Sequence, residues 1–415
     1  LWTIPNEEKT IILNKIAYLY EKNFIEIFAI LTREAGKTIS DAISEIREAV
    51  DFIRYYSFES SKLTDSKPLG KIVCISPWNF PLAIFTGQII AALSVGNAVL
   101  AKPADYTPII AIRAVELMYK AGVPRTSLQL LIGDGPILGD ALVTNKFIDG
   151  ICFTGSTNIA KLINKNSASE GNPYVSLVAE TGGINAMIVD STALPEQAVK
   201  DILASSFQSA GQRCSALRML YLQEDIAHKF LEMLYGAMDE LIVNDPWLAN
   251  TDVGPIININ AARDIQKYID LANEENRVLH QVKIPAQRSF VRPTVIKVES
   301  ITQLEREIFG PVLSVMKFDT EEEVINKMND NQYGLSSGVY TSNLSRGMRV
   351  SKAIRAGITF VNTYRLISPS APFGGIKDSG YGKEAGIESI KDYTRVKTTW
   401  FYTSDEPSLD PFSIR

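Results

Sequence analysis

Histidine and cysteine are scarce in this chain: among 415 residues there are two of the first and three of the second. Cys74, Cys152 and Cys214 are too few and too scattered for a disulfide frame or a zinc site, so no metal is expected and the chain reads as reduced and cytoplasmic. His228 falls in a helical stretch and His280 in a polar connection, neither beside a nucleophile-like motif. That removes the imidazole base on which a cysteine protease depends. No apolar run approaches the roughly 20 residues of a membrane span. A signal-peptide pattern is missing too, because Leu1 leads straight into an acidic amphipathic stretch. Leu1 stands where a Met would start a chain, which leaves open residues upstream or an unusual start. Positive charge is in deficit, with 42 Lys and Arg against 47 Asp and Glu and a net charge of −5. With no basic block in the sequence, a nucleic-acid partner is not expected.

What is present suits an ordinary globular protein: 46% hydrophobic residues, 21% charged, and a length that suits two main domains. Residues 7–35 and 40–56 read as amphipathic helices, and 57–68, rich in Ser and Lys, as a polar linker. From Lys71 short β-branched runs alternate with helical segments. Strands are expected at 71–76, 98–101, 128–132 and 150–153, with helices near 83–95, 108–121 and 137–144. Apolar strands joined through helices predict a parallel sheet covered on both faces. A second series begins near Asn185, with a strand at 186–189, helices near 195–209 and 225–241, and strands at 313–318, 337–341 and 358–362. The fold class is therefore α/β with two parallel-sheet units, and the tail from Thr403 should be loosely ordered.

Cys214 is the residue around which chemistry can be built. It follows Ser209-Ala210-Gly211-Gln212-Arg213, whose small residues leave room for backbone to approach a substrate. A cysteine acts as a nucleophile only as thiolate, and most free cysteines are instead small buried hydrophobes, the reading kept for Cys74 and Cys152. Glu180 ends an apolar run ahead of Gly182-Gly183. Desolvation at such a strand end raises a carboxyl pKa towards neutrality and suits a general base; a partly solvated strand-end Glu is the alternative. Asn79, in Ile75-Ser76-Pro77-Trp78-Asn79-Phe80-Pro81, is either a good turn residue or an amide aimed at an oxyanion beside the Cys214 N–H. Gly133-Asp134-Gly135 imitates a dinucleotide fingerprint with the wrong spacing. Phe153-Thr154-Gly155-Ser156-Thr157 is a better phosphate cradle, a strand running through a glycine turn into a helix N-terminus.

These motifs, in this order and over nearly the whole chain, resemble the aldehyde dehydrogenase superfamily. The resemblance implies a Rossmann-type cofactor domain at 1–182 with a C-terminal return at about 383–395, and a catalytic domain at 183–382. Residues 57–70 and 396–415 would be a shortened oligomerisation segment and a tail, so that a homo-oligomer, a dimer, is implied unless the shortening prevents it. It implies Cys214 as nucleophile, Glu180 as the base that activates the deacylating water, and Asn79 as oxyanion donor. Along the cofactor it places Ser76, Pro77, Trp78, Lys102, Asp105, Gly155, Ser156, Glu307 and Phe309, with the acid at Asp105 favouring NAD over NADP. Ser215 and Phe80 fall to the substrate, and Arg365 faces a carboxylate or is a plain surface arginine. The segments 74–87 and 179–190 resemble the L-glutamate γ-semialdehyde dehydrogenase module of bifunctional proline-utilisation enzymes. The segments 362–365 and 371–380 instead resemble general aldehyde dehydrogenases, including the succinate-semialdehyde type. An aldehyde-oxidising enzyme is the expectation; a shortened remnant that folds without turnover is the alternative.

Overall fold

A computed structural model describes residues 1–63, 66–284, 289–364, 368–403 and 405. The first sheet has six strands in the order Gly380–Tyr381, Ser176–Glu180, Gly150–Thr154, Lys71–Ile75, Ala98–Lys102, Leu128–Leu130. All neighbours are parallel except the outermost, where Gly380 lies antiparallel beside Glu180. The second sheet has seven strands, ordered Ile358–Val361, Ser336–Tyr340, Asn185–Val189, Leu217–Gln223, Val312–Phe318, Thr294–Lys297, Val278–Gln281. It is parallel apart from the last pair. The α/β class with two parallel-dominated sheets agrees with the sequence reading.

The local reasons are visible in the elements. The helix Ala83–Ser94 is apolar nearly all round, and it is enclosed between the sheet and the helix Ile39–Ser61, whose Phe52 ring packs where a side chain at Gly87 would stand. Three differences from the expected elements have physical causes. The helix expected over 7–35 is two, Asn6–Lys22 and Phe24–Ala35, because the Asn23 amide turns back to donate to the Leu19 carbonyl at 2.7 Å. The expected linker at 57–68 is helix as far as Ser61: Ser57 and Ser60 are buried, and Ser60 bonds the Ser57 carbonyl instead of water. The helix expected over 195–209 stops at Phe207, because Ser209, Ala210 and Gly211 all take left-handed φ values of 56°, 53° and 67°. His280 lies in the strand Val278–Gln281, not in a connection, stacked on Tyr235 and bonded to Asp239.

The chain returns to the first sheet at its end. Beyond Gly380–Tyr381, the helix Gly386–Lys391 packs on Ile39–Ser61, and Thr394–Arg395 pairs antiparallel with Lys67–Pro68. Among the described residues no helix is long and apolar enough to cross a membrane.

Candidate active site

The turn before Cys214 is a strained piece of backbone held by side chains. Each non-glycine left-handed residue costs about 1 kcal/mol, so Ser209 and Ala210 need restraint from outside. Arg213 donates from Nε to Ser209 Oγ at 2.9 Å and from a terminal nitrogen to Asp41 at 2.7 Å. Gln212 donates to the Ser209 and Pro255 carbonyls, both at 3.1 Å. Beyond the turn, Asn185 donates to the carbonyls of Cys214 at 2.6 Å and Ala216 at 2.9 Å, while its own oxygen accepts from Ser336 N–H. Cys214 is thereby fixed between the helix Pro195–Phe207 and the strand Leu217–Gln223, half-buried.

Asn79 reaches this turn from the other sheet. Its side-chain amide nitrogen donates to the Gln212 carbonyl at 3.1 Å, leaving a second N–H, and its backbone carbonyl accepts from Lys37. Glu180, 2% exposed, ends its strand with Oε2 accepting from Gly375 N–H at 3.0 Å and Oε1 without a partner. Burial, then the Glu384 charge, push its carboxyl well above the ordinary range, against Gly375 and Lys383. Lys383 pins the opposing loop by donating to the Gly374 carbonyl at 2.7 Å. Gly374 must be glycine, because a Cβ there would stand 2.3 Å from Glu180 Oε1. The Cys214 thiol is pushed up to about 12 by burial and by the charges of Glu307, Glu180 and Glu384. It rests protonated at neutral pH and needs a base.

A cavity of about 370 Å³ opens on Cys214 and Ser215. Phe80, Phe52, Ile84 and Phe373 give it apolar wall, and Arg213, Arg47, Glu48, Asp51 and Glu384 give it charge of both signs. Glu48 is pushed up to about 7, first by burial and then by Glu45, against the pull of Arg213 and Lys37. Glu384 sits behind the wall, its Oε1 accepting from Thr154 at 2.7 Å and Gln88 at 2.9 Å, and Gln88 in turn accepts from Ser76 at 2.8 Å. Sequence reasoning passed over Glu48, Arg213 and Glu384. Glu48 lies among several charged residues of the amphipathic stretch at 40–56 with nothing local to single it out, and no local motif surrounds Glu384. Arg365 lies outside the described residues.

The residues expected along a cofactor fall in separate groups: Trp78 and Phe309 with Glu307 at Gly182, Ser156 at a helix start, and Lys102 with Asp105. Trp78 meets Phe309 edge to face, ring centroids 5.5 Å apart. Glu307, pushed up to about 7 by burial against the pull of Arg218, packs where a Cβ on Gly182 would collide at 1.7 Å. Ser156 caps the helix Thr157–Ser169 by accepting from Ile159 N–H. Lys102 is 4% exposed and donates to the Pro103 carbonyl and to Asp105, whose second oxygen accepts from Gly135 N–H at 3.0 Å. Asp105 is thus partnered by an ammonium rather than standing as a bare charge. A bare glycine against a carboxylate, an aromatic pair, a helix N-terminus and a lysine with one N–H to spare are the donor set and shape that a dinucleotide fits.

A family model described as the aldehyde dehydrogenase family matches residues 1–399. The bifunctional protein PutA of Klebsiella aerogenes is 45% identical over 400 residues, which are 92% of this chain and 30% of that protein. A succinate semialdehyde dehydrogenase of Acinetobacter baylyi is 32% identical over 421 residues, 97% of this chain and 86% of the relative. A crystal structure of bifunctional proline utilization A superposes with a TM-score of 0.91 at 40% identity, over 95% of this chain and 42% of the other. Glyceraldehyde-3-phosphate dehydrogenase of Methanocaldococcus jannaschii, complexed with NADP, superposes at 0.90 with 28% identity, over 95% of this chain and 90% of that one. The chain therefore spans under a third of the bifunctional relative and most of the single-function ones. On the match to the family model and on the relatives of full length, this chain belongs to the aldehyde dehydrogenase family.

Proposed function

We propose that the chain oxidises an aldehyde to a carboxylic acid with NAD, and that the aldehyde is L-glutamate γ-semialdehyde. The observation that carries the substrate reading is the cavity at Cys214, lined both by the apolar Phe80, Phe52, Ile84 and Phe373 and by charges of both signs. Arg213 spends Nε on Ser209 and one terminal nitrogen on Asp41, so its other terminal nitrogen is available to a carboxylate alongside Ser215. Glu48 offers an acceptor to an ammonium. An α-amino-acid end has both groups. Likeness to the PutA proteins supports the same reading. The succinate-semialdehyde reading is favoured by the relative from Acinetobacter baylyi, and it leaves Glu48 facing a substrate with no cation.

The Cys214 sulfur attacks the aldehyde carbon, and its proton leaves to one of the carboxylates around it. The new oxyanion takes the free Asn79 N–H and the Cys214 backbone N–H, donors fixed before the charge develops. Lys102, Ser156, Glu307 and Phe309 would hold a nicotinamide nucleotide, which when bound supplies the acceptor for the hydride. Asp105, ion-paired with the ribose-holding Lys102, occupies that ammonium and leaves less positive charge for a 2′-phosphate, the ground for NAD over NADP. With the acyl group on Cys214 as a thioester, Glu180 takes a proton from the attacking water through its unpartnered Oε1, and the acid is released.

The test is a panel of aldehydes. The ratio of kcat/KM for glutamate γ-semialdehyde over an aliphatic aldehyde of similar length should exceed about 100, because a site built to bond charged ends rejects analogues lacking them far more strongly than an apolar wall does. A ratio near one refutes the substrate assignment, and a higher value for succinate semialdehyde selects the other reading. Cys214→Ala should abolish NADH formation on every member of the panel; residual turnover would remove Cys214 as nucleophile.

A further inference from the structure

Arg218 opens the strand Leu217–Gln223 and is 4% exposed. It does not itself line the cavity at Cys214, but it joins the two backbones that carry the Cys214 turn and the expected nucleotide contacts. One terminal nitrogen donates to the Gly310 carbonyl at 2.9 Å. The other donates to the Gly211 carbonyl at 2.6 Å, the Arg213 carbonyl at 3.1 Å and, more weakly, Glu307 at 3.4 Å. Its guanidinium carbon lies 5.6 Å from the Phe309 ring centroid. The two backbones are themselves in contact: a Cβ on Gly211 would stand 2.2 Å from the Gly310 carbonyl oxygen.

We infer that Arg218 is a positioning residue that locks the nucleophile turn and the loop bearing Glu307 and Phe309 into one rigid unit, so that nucleotide and thiol are held in register. This rests on reading Cys214 as the nucleophile and Glu307 as a nucleotide contact. The Gly310 carbonyl oxygen lies against Gly211 at a contact that no side chain could fill, and both carbonyls converge on the one guanidinium. Two negative dipole ends so placed repel, and a fork of N–H donors between them turns the repulsion into attraction. A lysine at 218 supplies charge but no planar fork. Removing the arginine also frees a strained turn whose left-handed residues persist only while the surroundings over-determine them. Burial and Arg218 act in opposite directions on Glu307, so losing the arginine raises the carboxyl further and makes it a poorer acceptor for a ribose hydroxyl.

Two readouts separate this from a merely structural role. The first needs no nucleotide: p-nitrophenyl acetate acylates a reactive thiol, the sulfur forming the thioester as p-nitrophenolate leaves. The pre-steady-state release should slow by at least tenfold in Arg218→Met and less in Arg218→Lys. The second is NADH affinity by fluorescence titration. Arg218→Met and Glu307→Gln should each weaken it about tenfold, and the double variant should be no weaker than about threefold beyond either, because the arginine acts on the nucleotide through Glu307. Thermal melts establish that each variant is folded; if Arg218→Met is not, the same comparisons are made with Arg218→Lys. Wild-type acylation rates in folded variants, or NADH losses that multiply in the double variant, overturn the inference. Release from wild type that persists in Cys214→Ala would refute instead the reading of Cys214 on which it rests.

Discussion

Glu180→Gln separates the two halves of the proposed reaction. The amide is nearly isosteric, still accepts from Gly375 N–H, and avoids the clash that any larger group would meet at Gly374, 2.3 Å from Oε1 for a Cβ there. What it loses is the ability to take a proton. General-base assistance contributes about 10²–10⁴-fold, or about 2.7–5.5 kcal/mol at 1.36 kcal/mol per decade. Steady-state turnover should fall by that factor. Rapid mixing should show a burst of about one NADH per Cys214, because hydride leaves before the water step. Stability supplies the control, and its sign follows from the raised carboxyl pKa. A carboxyl raised in the folded state adds stability that is fully present below its ordinary value of 4.5 and is lost as pH climbs towards the folded value. Glutamine carries no such penalty, so the variant should melt no lower than wild type at pH 8. Wild-type turnover in the variant, or its loss without a burst in a protein of unchanged melting temperature, would refute the assignment of Glu180.

Glu48→Gln should raise KM for glutamate γ-semialdehyde by about tenfold or more, from one charged hydrogen bond worth about 1.5–3 kcal/mol, and leave KM for an aliphatic aldehyde within threefold. In the wild type, KM for the amino aldehyde should fall as pH rises through about 7, where Glu48 becomes anionic; a flat profile would exclude it from binding. Gly182→Ala puts a methyl 1.7 Å from Glu307 Oε2 and should weaken NADH binding on the order of tenfold, as read by fluorescence titration. Unchanged affinity would place Glu307 away from the nucleotide.

What was legible in the sequence was what is local. Cys214, Glu180 and Asn79 each sit in a run whose neighbours are small, turn-forming or apolar for a reason, and the alternating strands and helices announce a parallel sheet. The errors are non-local. Nothing in Phe207-Gln208-Ser209-Ala210 forbids helix; it ends there because Gln212, Arg213 and Arg218 take the Ser209 and Gly211 carbonyls and the Ser209 hydroxyl, and Arg213 is held in place for this by Asp41, 172 positions away. Ser57 and Ser60 look like linker residues until Tyr56, bonded to Ser389 across 333 positions, shows that a later helix covers that face. Glu384 and Lys383 stand far along the chain from Glu180, and no window of sequence joins them.

The antiparallel pairing of Gly380 with Glu180 governs when the site can come into being. A ribosome delivers the Cys214 turn while the strand Ser176–Glu180 is still an open edge, and the residues that close that edge and bond Glu180 emerge well after it. Loop closure over about 200 residues is slow compared with local helix formation. During that interval the half-built sheet presents unpaired backbone to any other chain nearby, a template for misassembly. The nascent chain therefore holds the Cys214 turn before the backbone that bonds Glu180 arrives, and the surroundings of that carboxyl are complete only once residues 375–380 have docked.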